Sequence, residues 1–325
     1  MGNRSAVLSA AAIAVGLFAI ATPAGAQERF ASQCAALATA DVRNYCARVG
    51  EAAEVAQARI GMAFTGGNPV PGSGSTLGRR LRKIPRVSVD ARATTIGADL
   101  PPTSRIGSDT EVDARVTTFN VDAAVGVVNG FSLLPTVGGF ASVDLLASYG
   151  FSSLPDDKGF DDSPNSWGLG ARVGLLRESF TVPGVSVSAM YRGFGDVDFG
   201  DRTLTNRDAA FRLSDQSVFS LRGTVGKRFL TLGATAGVGY DRYSSEVAAI
   251  LRDPAGGDPL RVSDPDFDSD RTTVFGNVSW SMLIVHLVGE VGWQSGGDVF
   301  PAPTGFESQA DQKAWYGSLA VRVAI

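Results

Sequence analysis

The chain has 325 residues, a formal net charge of −4, 44% hydrophobic residues, 39 glycines and two cysteines. Its mean hydropathy is +0.08 and its pI is about 5.2. Two cysteines in so long a chain exclude a disulfide-built scaffold, the apolar content excludes a disordered chain, and the acidic balance argues against nucleic acid as a partner.

Residues 1–26 combine Arg4, an apolar run from Ala6 to Ile20 and the small-x-small sequence Ala24-Gly25-Ala26. This is the pattern of a cleaved signal peptide, because the apolar run is shorter than the roughly 18 residues a spanning helix requires. No later segment is long and apolar enough to be a membrane helix. Any membrane crossing must then be made by strands.

Residues 27–65 predict a periplasmic helical hairpin: Leu37, Val42, Tyr45, Val49 and Val55 recur at helical spacing in an Ala-rich stretch. In one unbroken helix Cys34 and Cys46 would stand about 18 Å apart, beyond the ~7 Å that a disulfide allows between Cα atoms. A break near Ala40, with Asp41 as N-cap, brings the sulfurs together, and an oxidising compartment favours the bond. Ile60, Met62 and Phe64 also alternate with Gly61, Ala63 and Thr65, which leaves a further strand open. Residues 66–83 read as a Gly/Pro-rich basic linker, continued by Arg86, that is solvated or set against lipid phosphates. Folding of this segment into a lumen as a plug stays open.

From residue 84 to residue 325, segments of period-two polarity alternate with turn-rich spacers. Val87 to Ala93, Val112 to Val125 with a bulge near Thr118, Ala141 to Tyr149, Trp167 to Leu175 and Val185 to Tyr191 form the first five. Phe219 to Val225, Leu230 to Tyr240, Val274 to Met282, Val285 to Trp293 and Trp315 to Ile325 complete ten, with twelve as the variant if Ile60 to Phe64 is a strand. Spacers near 129–136, 177–183, 227–229 and 283–285 are short, and those near 98–110, 152–164, 199–214, 244–270 and 296–311 are long. The apolar faces carry almost no charge. The opposite faces carry Arg86, Asp90, Arg92, Asp113, Arg115, Asp122, Asp144, Arg172, Arg192, Arg222, Asp241, Glu290 and Arg322. Tyr149, Trp167, Tyr191, Tyr240, Tyr243, Trp293 and Trp315 fall near the long-spacer ends, where an interfacial girdle would lie, which favours a barrel over a secreted β-sandwich.

The last strand, Trp315-Tyr316-Gly317-Ser318-Leu319-Ala320-Val321-Arg322-Val323-Ala324-Ile325, resembles the closing strand of bacterial outer-membrane β-barrel proteins, with Ile325 where that class ends in an aromatic. The resemblance implies an all-β fold, an antiparallel up-and-down transmembrane barrel in the outer membrane of a Gram-negative-type bacterium. It implies outer-membrane lipid, lipopolysaccharide and the barrel-assembly machinery as partners. The inward charges would either form a structural ion-pair network or line a narrow pore. The expected function is a narrow porin-like channel for small solutes. A structural or surface-interaction barrel with a closed lumen is the alternative, and a barrel enzyme is the second.

No cofactor motif appears. His286 is the only histidine and follows a short turn, where a lumen-facing structural role is expected. Asp264, Asp266, Asp268 and Asp270 have the spacing of the first acidic positions of a calcium loop, but without its sixth-position Gly, and Phe275 stands at the Glu position. They read as an acidic solvated loop and a weak metal candidate.

Overall fold

The computed structural model describes residues 28–80, 84–101, 103, 112–132, 138–161, 163–204, 208–253, 255–295 and 313–325. The export signal expected over residues 1–26 lies outside the described residues, as do Arg82 and Lys83 of the basic run.

Ten antiparallel strands form the wall: β1 (Val87–Leu100), β2 (Val112–Val128), β3 (Ser142–Ser153), β4 (Asn165–Leu176), β5 (Gly184–Phe194), β6 (Ala209–Phe229), β7 (Leu232–Leu251), β8 (Leu260–Met282), β9 (Val285–Gln294) and β10 (Ala314–Ala324). Each pairs with its neighbour in sequence, and β10 pairs with β1 from Tyr316 opposite Ile96 to Ala324 opposite Ser88. The sheet therefore closes on itself and leaves no edge along the barrel. Connections at one rim are short, the tightest being Leu230-Thr231 and Leu283-Ile284, except for that of residues 129–141, while those at the other rim are mostly longer.

Burial alternates residue by residue along the strands, and on β1 it does so without a break over its 14 residues. The exposed set is apolar, including Val121, Leu145, Tyr149, Trp167, Leu169, Val278, Leu287, Val291 and Leu319. A greasy exterior on a closed sheet has no second layer to cover it. Lipid is its solvent.

Several expectations need correction. There is no bulge near Thr118: β1 and β2 stay in register from Val87 opposite Val125 to Leu100 opposite Val112. The change from Val116 to Phe119 as the apolar set reflects depth and not phase, since Ala114 and Val116 point inward into an apolar upper core while Asp113 and Arg115 face outward. The spacer expected at 244–270 is largely strand, and that expected at 199–214 is strand from Ala209 onward, because β6, β7 and β8 run for 21, 20 and 23 residues and stand well past β9, which has 10.

The N-terminal hairpin is present but not beside the barrel. Helix α1 (Glu28–Ala35) turns into helix α2 (Ala40–Thr65), capped by the Thr39 hydroxyl, which accepts from the Val42 N–H, and not by Asp41. The Cys34–Cys46 disulfide joins the two, with Cα atoms 5.5 Å apart. Every α2 residue from Val49 to Thr65 is buried. The helix fills the lumen, and Ile60, Met62 and Phe64 are part of it.

Candidate functional site

Among the described residues the lumen holds most of the buried charge, so the site is built from what occupies it. A helix with ordinary side chains is about 10–12 Å across, and a small barrel leaves little more than that inside. Nine of the 26 residues of α2 are Ala or Gly, which slims the helix to fit. At Gly61 an added Cβ would lie 2.3 Å from the Tyr243 ring. Tyr243 therefore belongs to the lumen wall, in contact with the helix, and not to the outer girdle.

The helix enters at the long-loop rim. Tyr45 donates its hydroxyl hydrogen to the Thr103 carbonyl at 2.5 Å, the Phe30 N–H donates to Asp264 at 3.1 Å, and Gln33 donates to the Ser263 carbonyl at 2.7 Å. Around them Phe199 stacks on Phe211 and meets Phe160 edge-on, and Phe30 packs edge-on against Phe267. Deeper in, Gln57 donates to the Ser245 hydroxyl and the Phe267 carbonyl, Arg59 to Gln294, and Arg271 pairs with Glu54 at 2.5 Å. Lower still, Thr118 donates to the Ala63 carbonyl at 2.6 Å and Asn120 to that of Phe64 at 3.3 Å.

Gly66 ends the helix with φ +59, a conformation that suits a residue without Cβ, and its N–H bonds to the Met62 carbonyl. The chain then runs down the lumen toward the short-turn rim without helix or strand, turning once where the Ser73 N–H donates to the Val70 carbonyl, and the wall charges hold it by its backbone. Glu290 accepts from the N–H groups of Gly67 and Asn68 at 2.9 and 3.1 Å. Arg222 donates to the carbonyls of Gly66 and Gly67, both at 3.1 Å, Arg92 to Asn68 at 3.2 Å, Arg322 to Pro71 at 2.5 Å and Arg172 to Ser73 at 3.3 Å. Asp144 accepts from the Leu77 N–H at 2.9 Å. The segment expected to be a solvated linker is thus buried over residues 66–71, because six strands supply charge to its peptide groups.

The same side chains also pair with one another. Arg172 meets Asp144 at 2.9 Å, Arg222 meets Asp241 at 2.8 Å, and Asp122 sits between Arg92 at 2.8 Å and Arg192 at 3.8 Å. Asp90 is buried directly across the ladder from Asp122. Ten of the thirteen residues expected in the lumen are buried there; Asp113 and Arg115 face outward near the long-loop rim, and Arg86 is exposed at the short-turn rim. The sequence reading missed Glu54, Gln57, Arg59 and Arg271. The signal for the first three was available: a helix with charged residues spread among alanines has no apolar stripe to lay on a surface, which fits enclosure on all sides.

The aspartates proposed as a weak metal candidate do not converge. Asp264 points inward and holds the Phe30 N–H, while Asp266 pairs with Arg29 at 3.5 Å, Asp268 with Arg242 at 3.1 Å, and Asp270 accepts from the Tyr240 hydroxyl at 2.7 Å. They lie on β8 and not in a loop; regular alternation would set all four on one face, but the ladder to β7 breaks between Asp264 and Phe267, which leaves Asp264 buried and the other three on the outer side. His286 is buried at the short-turn end, with Nδ1 2.7 Å from the Ser281 hydroxyl.

A closed, lipid-facing sheet around an ionic interior decides the class. The chain is a β-barrel of the outer-membrane kind. No family model matches the sequence, and no curated protein matches it. Solved structures similar to it include the translocator domain of the autotransporter NalP from Neisseria meningitidis, at 14% identity and a TM-score of 0.42, covering 84% of this chain and 96% of that one. The outer-membrane protease OmpT from Escherichia coli is similar at 10% identity and a TM-score of 0.37, over 74% and 96% of the two chains. The Pseudomonas putida toluene transporter TodX is similar at 10% identity and a TM-score of 0.29, over 81% and 96% of the two chains. At such identities the likeness concerns the fold of the barrel.

Proposed function

We propose that this barrel sits in the outer membrane of a Gram-negative-type bacterium as a structural or surface-interaction protein whose lumen is closed by its own N-terminal segment. Its surroundings are then outer-membrane lipid and lipopolysaccharide, and its insertion falls to the barrel-assembly machinery. The observation that carries this reading is the burial of α2 on all sides from Val49 to Thr65, followed by the backbone clamps on residues 66–77. A porin-like path for solutes would have to run where these residues already are.

The raised rim supports a role at the surface. β6, β7 and β8 carry the sheet past the apolar band, and α1 is tied beneath them by the disulfide, which presents an ordered face on the long-loop side. A hydrolase reading has less to stand on. The single histidine lies at the opposite rim, and among the described residues no acid is hydrogen-bonded to its ring.

Planar-bilayer recording of the intact protein tests the reading. Silence under applied voltage is expected, with conductance steps appearing once the filling is removed by deletion of residues 28–78. Steady steps from the intact protein would restore the narrow channel.

A further inference from the structure

At the short-turn rim, below the clamped segment, lies a cavity of about 280 Å³. At roughly 30 Å³ per water this is room for about nine waters, or for one compact anion with a small attached group. Its lining contains Arg86, Arg177, Lys227, Arg228 and Arg322, against Glu178 as the one acidic side chain.

Some of these cations are already occupied. Lys227 donates to the carbonyls of Ser179 and Phe180, and Arg177 donates to that of Asn129 at 3.1 Å. Glu178 is turned toward the backbone, accepting from the Arg228 N–H at 2.6 Å. The guanidinium groups of Arg86 and Arg228 have no hydrogen bond or ion pair among the described residues. Arg322 is the decisive one. It is only 5% exposed, it spends Nη1 on the Pro71 carbonyl, and its Nε has no partner. Its cross-strand neighbour is Asp90, yet no ion pair joins the two. A buried guanidinium with an unused donor, beside two free ones at the mouth, is a costly arrangement unless an anion completes it.

We propose that this cavity is a binding site for a phosphate group, held by the guanidinium groups of Arg322, Arg228 and Arg86. A tetrahedral anion with several acceptor oxygens can use donors converging from the wall and from two strand ends, and guanidinium forks match its geometry. The group has two sources at this rim: a soluble phosphate ester or the headgroup of a phospholipid in the adjacent leaflet. The proposal is independent of whether the lumen conducts.

Calorimetry on the detergent-solubilised full chain separates the sources, with inorganic phosphate as one probe and monomeric dihexanoyl phosphatidylglycerol as the other. Heat with inorganic phosphate assigns the soluble form, and heat with the lipid alone assigns the headgroup. The double variant Arg86→Ala/Arg228→Ala alters exposed residues only and should weaken the bound probe by about tenfold or more. Glu178→Gln keeps an acceptor for the Arg228 N–H, removes the one acid and should tighten binding. Absence of heat with both probes, or a double variant that binds like the unaltered protein while still shifting on gels with boiling, overturns the proposal.

Discussion

The two halves of the lumen filling are held in opposite ways. The upper half is a helix gripped by its side chains: alanines and glycines that let the wall approach, aromatic rings stacked over its start, and a disulfide at its entry. The lower half, residues 66–78, is an irregular chain gripped by its peptide groups, with Glu290, Arg222, Arg92, Arg322, Arg172 and Asp144 reaching in from six strands. The first mode writes itself into the filling's own sequence. The second writes itself into the wall, and asks of the filling only that it be thin and free of bulky side chains.

The contrast can be broken from either side, and the lower half should be the more sensitive. Asp144→Ala strips the fully buried Arg172 of its partner and leaves the Leu77 N–H unpaired, so a loss of about 3–5 kcal/mol is expected. Urea unfolding followed by gel mobility measures it; a midpoint unchanged from the unaltered protein would mean that water serves the guanidinium instead. Gly61→Val, in the upper half, pushes a side chain into the Tyr243 ring and should cost about 1–3 kcal/mol by the same assay.

Smaller effects sharpen the comparison where the halves meet. Thr118→Val removes one hydroxyl bond to the Ala63 carbonyl and should cost about 1 kcal/mol, seen as faster amide exchange in the last turn of α2. Arg115→Ala is the control: its side chain faces outward and its loss should stay within about 0.5 kcal/mol. A large effect there would put Arg115 back among the lumen residues, where sequence alternation first suggested it.

The wall was legible because lipid imposes one rule on every strand. Val121, Leu145, Leu169 and Leu319 had to be apolar on the outside, and Asp90, Asp122, Asp144 and Arg172 could be charged only on the inside. The rule stops above the lipid. Ala114 and Val116 face inward there, Asp113 and Arg115 face water, and a reading that assumed one polarity throughout inferred a bulge where the ladder runs straight. The filling was harder to read for a different reason. A glycine-rich stretch such as Gly66-Gly67-Asn68-Pro69 has the composition of a free linker, and its partners are some 150 to 220 residues away in the chain, as with Arg222 and Glu290. Local sequence holds no trace of such contacts. The disulfide was readable because it is local: 12 residues separate its cysteines, and helix geometry alone demanded the turn between them.

The direction of α2 has a consequence for sidedness. Ten strands alone return a polypeptide to the face from which it set out, but the helix adds an eleventh traverse before the first strand begins. Glu28 and Ile325 consequently stand on opposite sides of the bilayer, so a label attached near one is shielded from a reagent that reaches the other.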